Sequence, residues 1–181
     1  RERFVAMTVA AARPAALRAR VLGDVVHYPL TIRIPRVGAP SVVTLHDVQH
    51  LDLPRLFPRA ERAFRAVAWH RSVRGARLVI VPSGFVRDRA VELLRLDPAR
   101  VRVIHHGIDH ATFTPGDEER EPFLLYPARA WPHKNHARLL EAFTLLRRDR
   151  PGLGLVLTGG GDPPTAAGVD SRGRVSAAEL V

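Results

Sequence analysis

The sequence predicts an α/β protein built on parallel sheets, and two features of it predict this. Short apolar runs bounded by turn residues alternate with longer amphipathic stretches, which is the order of βα units. The runs are apolar at nearly every position rather than every second one, as strands covered on both faces are. With 181 residues, 46% of them hydrophobic, the chain can fill the core of one large domain or of parts of two.

In chain order, a helix is expected over 13–22, followed by strands at Asp24–Tyr28 and Ser41–Leu45. A helix over 59–74 leads to the strand Arg77–Val81. Pro82 then stops the run, and the Ser83 hydroxyl is placed to cap a helix over 83–95. Strands follow at Val101–Ile104 and Pro122–Tyr126. The next helix, 135–149, puts Leu139, Leu140, Phe143 and Leu146 on one face, with Arg138, Glu141, Arg147 and Arg148 outside it, so it should pack on a sheet. The last strand is Leu153–Leu157. Gly159 to Gly173 is rich in glycine, proline and small residues and is expected to be a mobile loop.

Residues 107–121 combine turn residues with a charge run and separate two groups of βα units. The expected organisation is therefore a first domain over 1–108, a linker over 109–121 and a second domain over 122–181. Ser176 and Glu179 have the spacing of a capping box. A helix opening so near the last residue, Val181, predicts a chain cut short there.

No cysteine is present, which excludes disulfides, thiolate zinc sites and cysteine nucleophiles. No apolar run reaches the roughly 20 residues that span a bilayer, and no signal-peptide core opens the chain, so a cytoplasmic protein is expected. The net charge of +10 favours acidic partners such as phosphorylated substrates, anionic lipid or nucleic acid. Nearly all of the basic residues are arginine, a skew that reads as GC-rich coding, with most of them on a solvated surface.

The one lysine, Lys134, lies in Arg129-Ala-Trp-Pro-His-Lys134-Asn135-His136, after an apolar strand and at a helix start. Such a terminus already carries partial positive charge and unsatisfied N–H groups, so Arg129 and Lys134 there predict a phosphate site. Asn135 either caps the helix or contacts the anion. Gly159 and Gly160, after the strand 153–157, form either a plain βα turn or a close approach of backbone to a nucleotide.

His46 projects from the carboxyl end of a strand, where open α/β sheets bind ligands; Asp47 beside it lies at the same edge. His46-Asp47-Val-Gln-His50 looks like a zinc-protease helix, but Asp replaces the catalytic Glu and the segment ends a strand, so no metal site is expected. His105 and His106 point to opposite sides if extended, which argues against joint chelation. Gly107 permits a tight turn, and Asp109 contacts either substrate or hinge backbone. Ser83 lacks the glycine of a nucleophile elbow and is read as a cap.

Together these pieces resemble the retaining, nucleotide-sugar-dependent glycosyltransferases of the GT-B fold, family 4. The resemblance rests on Thr44-Leu-His46-Asp47, Val79-Ile-Val-Pro-Ser83, Val101 through Gly107-Ile108-Asp109, Phe113-Thr-Pro115, Tyr126-Pro-Ala-Arg129 through Lys134-Asn135, Leu139-Leu-Glu-Ala-Phe143 and Leu157-Thr-Gly159-Gly160. It implies two Rossmann-like domains, acceptor-side and donor-side, both incomplete in this chain.

It also implies that Arg129 and Lys134 grip the donor diphosphate, with Asn135, Gly159 and Gly160 nearby, while His46 faces the transferred sugar and its phosphate. Asp47, Gly107 and Asp109 would border the cleft or hinge. The implied reaction moves a hexose from a nucleotide sugar to a glycan or lipid-linked acceptor with retention, needing no cofactor and no essential metal. An anionic membrane surface at the cytoplasmic face is a further expected partner. The family's glycine-rich loop and paired-glutamate segment have no counterpart here, so the piece alone is expected to be inactive. The competing reading is a non-catalytic basic module for anionic lipid or nucleic acid.

Overall fold

The computed structural model describes residues 23–116, 119–162, 165–176 and 179, so the helix expected over 13–22 lies outside the described residues. Packing divides the chain into two units, between Gly107 and Ile108.

In the first unit, β1 (Val26–Tyr28), β2 (Ser41–Thr44), β3 (Leu78–Val81) and β4 (Val101–Val103) form a parallel sheet in that order. Parallel neighbours need crossovers, and helices supply them. After β2 come the single-turn helix α1 (Gln49–Asp52) and α2 (Arg59–Gly75); α3 (Gly84–Leu94) joins β3 to β4. The register sets Val43 beside Val79 and Val79 beside Val101, so branched side chains stack across the sheet. Val43, Leu45, Val73, Val79, Val81 and Leu94 are almost wholly buried in one core. Each contributes roughly 1.5–3 kcal/mol by leaving water.

Ser83 has the extended backbone of an N-cap and its hydroxyl accepts the Val86 N–H at 3.2 Å, as expected. Arg89, on the same helix, bridges its own turn and α1: it donates to Glu92 at 2.5 Å and pairs with Asp52.

The second unit holds β5 (Phe123–Pro127), β6 (Gly154–Thr158) and β7 (Val169–Gly173), again parallel and in sequence order, with α4 (His136–Asp149) crossing from β5 to β6. Phe143 of α4 packs on Leu155 and Leu157, flanked by Tyr126, Leu139 and Leu140. At Ser176 the N–H donates to the Glu179 carboxylate at 2.7 Å, the reach-back contact of a capping box.

Three expectations need correction in this unit. β7 occupies the end of the stretch read as a mobile loop, because its backbone pairs with β6 although its sequence has one apolar residue, Val169. β5 is not covered on both faces: it pairs with β6 alone among the described strands, and Phe123, Leu124 and Leu125 stay 41–44% exposed. On α4, Leu146 remains exposed while Arg147, expected outside the apolar face, lays its guanidinium near the Phe143 ring at 5.8 Å. Its long stem lets the charged end reach past the ring to the carbonyls of Ala167 and Pro151, at 2.8 and 2.9 Å. No helix among the described residues is long and apolar enough to cross a membrane.

Candidate functional site

At the carboxyl ends of β5 and β6 two loops interlock. The Ala130 N–H donates to the Gly160 carbonyl at 3.0 Å. Gly159 and Gly161 adopt φ of 127° and 109°, which L side chains rarely reach. A β-carbon at Gly159 would lie 2.6 Å from the Ala128 oxygen, so the loops can approach only because that position is glycine. Gly160 is different in kind: a β-carbon there would meet Arg129 Nε at 3.5 Å and Arg174 Nε at 3.6 Å, ordinary contact distances. Two guanidinium groups therefore converge over the Gly160 backbone.

Arg129 also packs against Trp131, whose ring centroid is 5.2 Å from the guanidinium carbon. The chain then makes a single 3-10 turn, Pro132–Lys134, before α4 begins at His136. Lys134 thus precedes the helix rather than opening it. Its carbonyl accepts the Tyr126 hydroxyl at 2.8 Å, which ties the turn to β5, and its side chain is exposed and outside every ion pair found among the described residues.

Asn135 takes a left-handed conformation (φ 52°) and its side chain accepts the Arg138 N–H at 3.4 Å, so it is the N-cap. The N–H groups of Lys134 and Asn135 are used within the turn. His136 and Ala137 are left as the first-turn donors. Of the two histidines flanking Lys134, His136 turns into the core edge-on to Tyr126, ring centroids 5.2 Å apart, while His133 sits beside Trp131.

In the first unit, the carboxyl end of the sheet carries His46 and His106. Their rings stack with centroids 5.9 Å apart and planes within 10°. His46 Nε2 lies 2.8 Å from the Pro29 carbonyl, an acceptor only, so Nε2 carries the proton and Nδ1 keeps a free lone pair in the neutral ring. His105 turns the other way, Nδ1 to the Pro82 carbonyl at 3.1 Å.

Asp47 accepts the Gln49 N–H at 3.0 Å and lies 3.6 Å from Arg65, so it makes a turn leading into α1 rather than projecting freely. His50 is buried and its Nε2 meets His70 Nε2 at 3.3 Å. Burial first, then Arg65 and His70, lower its pKa to about 4. His46 and His50 therefore do not converge, and no group of three metal-ligating side chains exists among the described residues.

Gly107 has open space around it. Asp109 folds onto its own turn, accepting the Thr112 hydroxyl at 2.6 Å and the Ala111 N–H at 3.0 Å; these bonds hold its carboxyl below the usual range. The sequence reading missed Arg174, which follows β7, a strand with no apolar pattern to reveal it, and the stacking of His106 on His46, which only the parallel sheet brings about.

Comparison with known proteins agrees with this architecture. The family model described as Glycosyltransferase Family 4 matches residues 6–112. The D-inositol 3-phosphate glycosyltransferase of Mycobacteroides abscessus is 30% identical over 147 residues, covering 75% of this chain and 32% of that protein. The O-antigen chain mannosyltransferase RfbU of Salmonella typhimurium is 24% identical over 52% of this chain and 26% of its own length. The chain spans about a third of the length of the curated relatives it matches.

Among solved structures, a glycosyltransferase from Rickettsia africae superposes with a TM-score of 0.57 at 17% identity, over 96% of this chain and 50% of that one. TarM gives the same TM-score at 13% identity, over 78% and 30%. These likenesses show the α/β fold class of GT-B proteins.

Proposed function

Because this chain belongs to Glycosyltransferase Family 4, we propose that it forms part of a retaining enzyme which moves a hexose from a nucleotide sugar to a glycan or lipid-linked acceptor. The observation that carries the donor assignment is the convergence of Arg129 and Arg174 over the Gly160 backbone, next to the turn that bears Lys134. The name of one relative, a mannosyltransferase, supports the hexose.

When a nucleoside diphosphate departs, charge grows on its terminal phosphate while the sugar becomes oxocarbenium-like. Cations held in place before the reaction stabilise that charge more than they stabilise the bound substrate. Arg129 is positioned for this role by Trp131 and by the side-chain-free Gly160, and Lys134 by the Tyr126 bond to its carbonyl. Guanidinium groups suit a diphosphate because their paired N–H bonds match its oxygens. Asn135 acts indirectly, by fixing the turn. On the first unit, His46 presents the Nδ1 lone pair to a sugar hydroxyl, its ring held by Pro29 and His106.

In this reading the departing diphosphate takes the acceptor proton, so no protein nucleophile, cofactor or metal is required. The reaction is assigned to the cytoplasm or the inner face of the membrane. A non-catalytic polyanion-binding module finds less support, since the named relatives are transferases.

The test is transfer by the intact protein across a panel of nucleotide sugars, with Lys134→Ala beside it. Loss of one such stabilising donor costs about 10²–10³-fold in turnover. A variant with full transfer rate and unchanged affinity for the nucleoside diphosphate would remove the donor assignment.

A further inference from the structure

At the end of the first sheet opposite His46, the amino ends of β2, β3 and β4 open onto a recess of about 940 Å³. Arg33, Arg77, Arg100 and Arg102 line it. Asp97 is the one acid in the lining, and its carboxylate is committed to the Ala99 N–H at 2.9 Å. A second recess of about 390 Å³ shares Arg33 and Gly75 and adds Arg36, Arg71 and Arg74.

None of these arginines forms an ion pair among the described residues. Backbone carbonyls engage three of them: the Arg100 guanidinium donates to the carbonyls of Arg74 (3.0 Å) and Ala76 at the end of α2, Arg102 Nη1 to Ala99 (2.7 Å), and Arg74 to Leu94 (3.4 Å), leaving Arg102 Nη2 without a partner among the described residues. Arg33, Arg36, Arg71 and Arg77 have no side-chain acceptor among the described residues.

Arg33 is the least bland of them. It is half-buried, and its Nε is fully buried without a partner. Burial lowers its pKa and Arg36 adds to that, so its charge is held at a cost. The guanidinium also rests against Gly75, where a β-carbon would stand 2.5 Å from Nη1. A half-buried cation with one buried N–H unpaired, resting over a glycine, is the arrangement that an incoming anion relieves.

We propose that this recess binds a phosphate-bearing anion, with Arg33 at its floor and Arg77 and Arg102 as flanking forks. It lies at the opposite end of the sheet from His46 and shares no residue with the proposed donor site in the second unit.

The experiment is calorimetric titration of inorganic tripolyphosphate into the intact protein carrying Lys134→Ala and Arg129→Ala, so that the donor site does not contribute. Saturable one-to-one binding is expected, weakened at least about tenfold by Arg33→Gln with Arg77→Gln, since charge-assisted paired bonds are lost. Gly75→Ala, which displaces the Arg33 guanidinium, should weaken it too, and Arg87→Gln should not. Thermal unfolding of each variant separates lost binding from lost fold.

Cosedimentation with phosphatidylglycerol vesicles identifies the source. Vesicle binding abolished by the same substitutions and by tripolyphosphate points to a lipid headgroup, and its absence beside intact tripolyphosphate binding points to a soluble anion. Equal losses in Arg87→Gln and Arg33→Gln, no saturation, or tighter binding of a single-stranded oligonucleotide at equal phosphate concentration would overturn the proposal.

Discussion

The backbone of Gly159 runs against the carbonyl of Ala128, leaving 2.6 Å between that oxygen and the place where a β-carbon would stand. This contact locks the loop after β6 to the loop after β5, and so sets Gly160 under Arg129.

Gly159→Ala should therefore meet both a backbone clash and a φ of 127° that alanine disfavours, destabilising the second unit by about 1–3 kcal/mol. Gly160→Ala meets side-chain atoms at 3.5 Å or more and should leave stability almost unchanged while weakening nucleoside diphosphate binding. Urea unfolding and nucleotide titration of the two variants check this; equal stability losses would contradict the loop contact described.

His46→Ala removes the proposed sugar-facing lone pair and should slow transfer by about 10²-fold, the scale of one lost polar contact in a transition state. Since His46 is exposed, the unfolding midpoint should hold. His106→Ala, which removes the stacked ring, should give a smaller loss. Steady-state kinetics of the pair rank them, and an unaffected His46→Ala enzyme would discard the role.

Stability should depend on pH through His50. Its folded pKa of about 4 lies below the ordinary 6.5, so between those values the unfolded chain binds a proton that the folded one does not. Stability contributed by the neutral pair is complete above 6.5 and falls as pH drops toward 4. Arg65 and, beside His70, Arg74 act in the same direction as burial, while the carboxylates of Asp47 and Glu61 oppose it without cancelling it. Urea unfolding at a series of pH values should show this slope, and His50→Gln should reduce it without abolishing it, because burial also lowers the His70 pKa.

Ser83→Ala should cost about 1 kcal/mol by leaving the Val86 N–H uncapped, and Ser83→Asp should restore most of it. Transfer by the intact enzyme should be unaffected in both. A loss of transfer with unchanged stability would assign Ser83 a chemical role instead.

Most strands and helices were legible in the sequence because their signals are local. The valine runs of β2 and β3, the serine before α3 and the apolar stripe of α4 need no distant partner to be read. The residues proposed for the phosphate site were picked out for a similar reason, as cations clustered between a strand and a helix. β7 was not, since one apolar residue in five carries no period and only pairing with β6 makes it a strand.

The local chemistry of the chain is thus enough to specify its α/β order, its family and the Arg129 to Asn135 segment. Long-range packing settled the rest: the stacking of His106 on His46, the pairing of His50 with His70, the arrival of Arg174 over Gly160 and the gathering of arginines at the amino ends of the strands. Periodicity along a chain encodes which residues are buried and in what element. It does not encode which separate loops a parallel sheet brings to the same edge, because that follows from strand order and register.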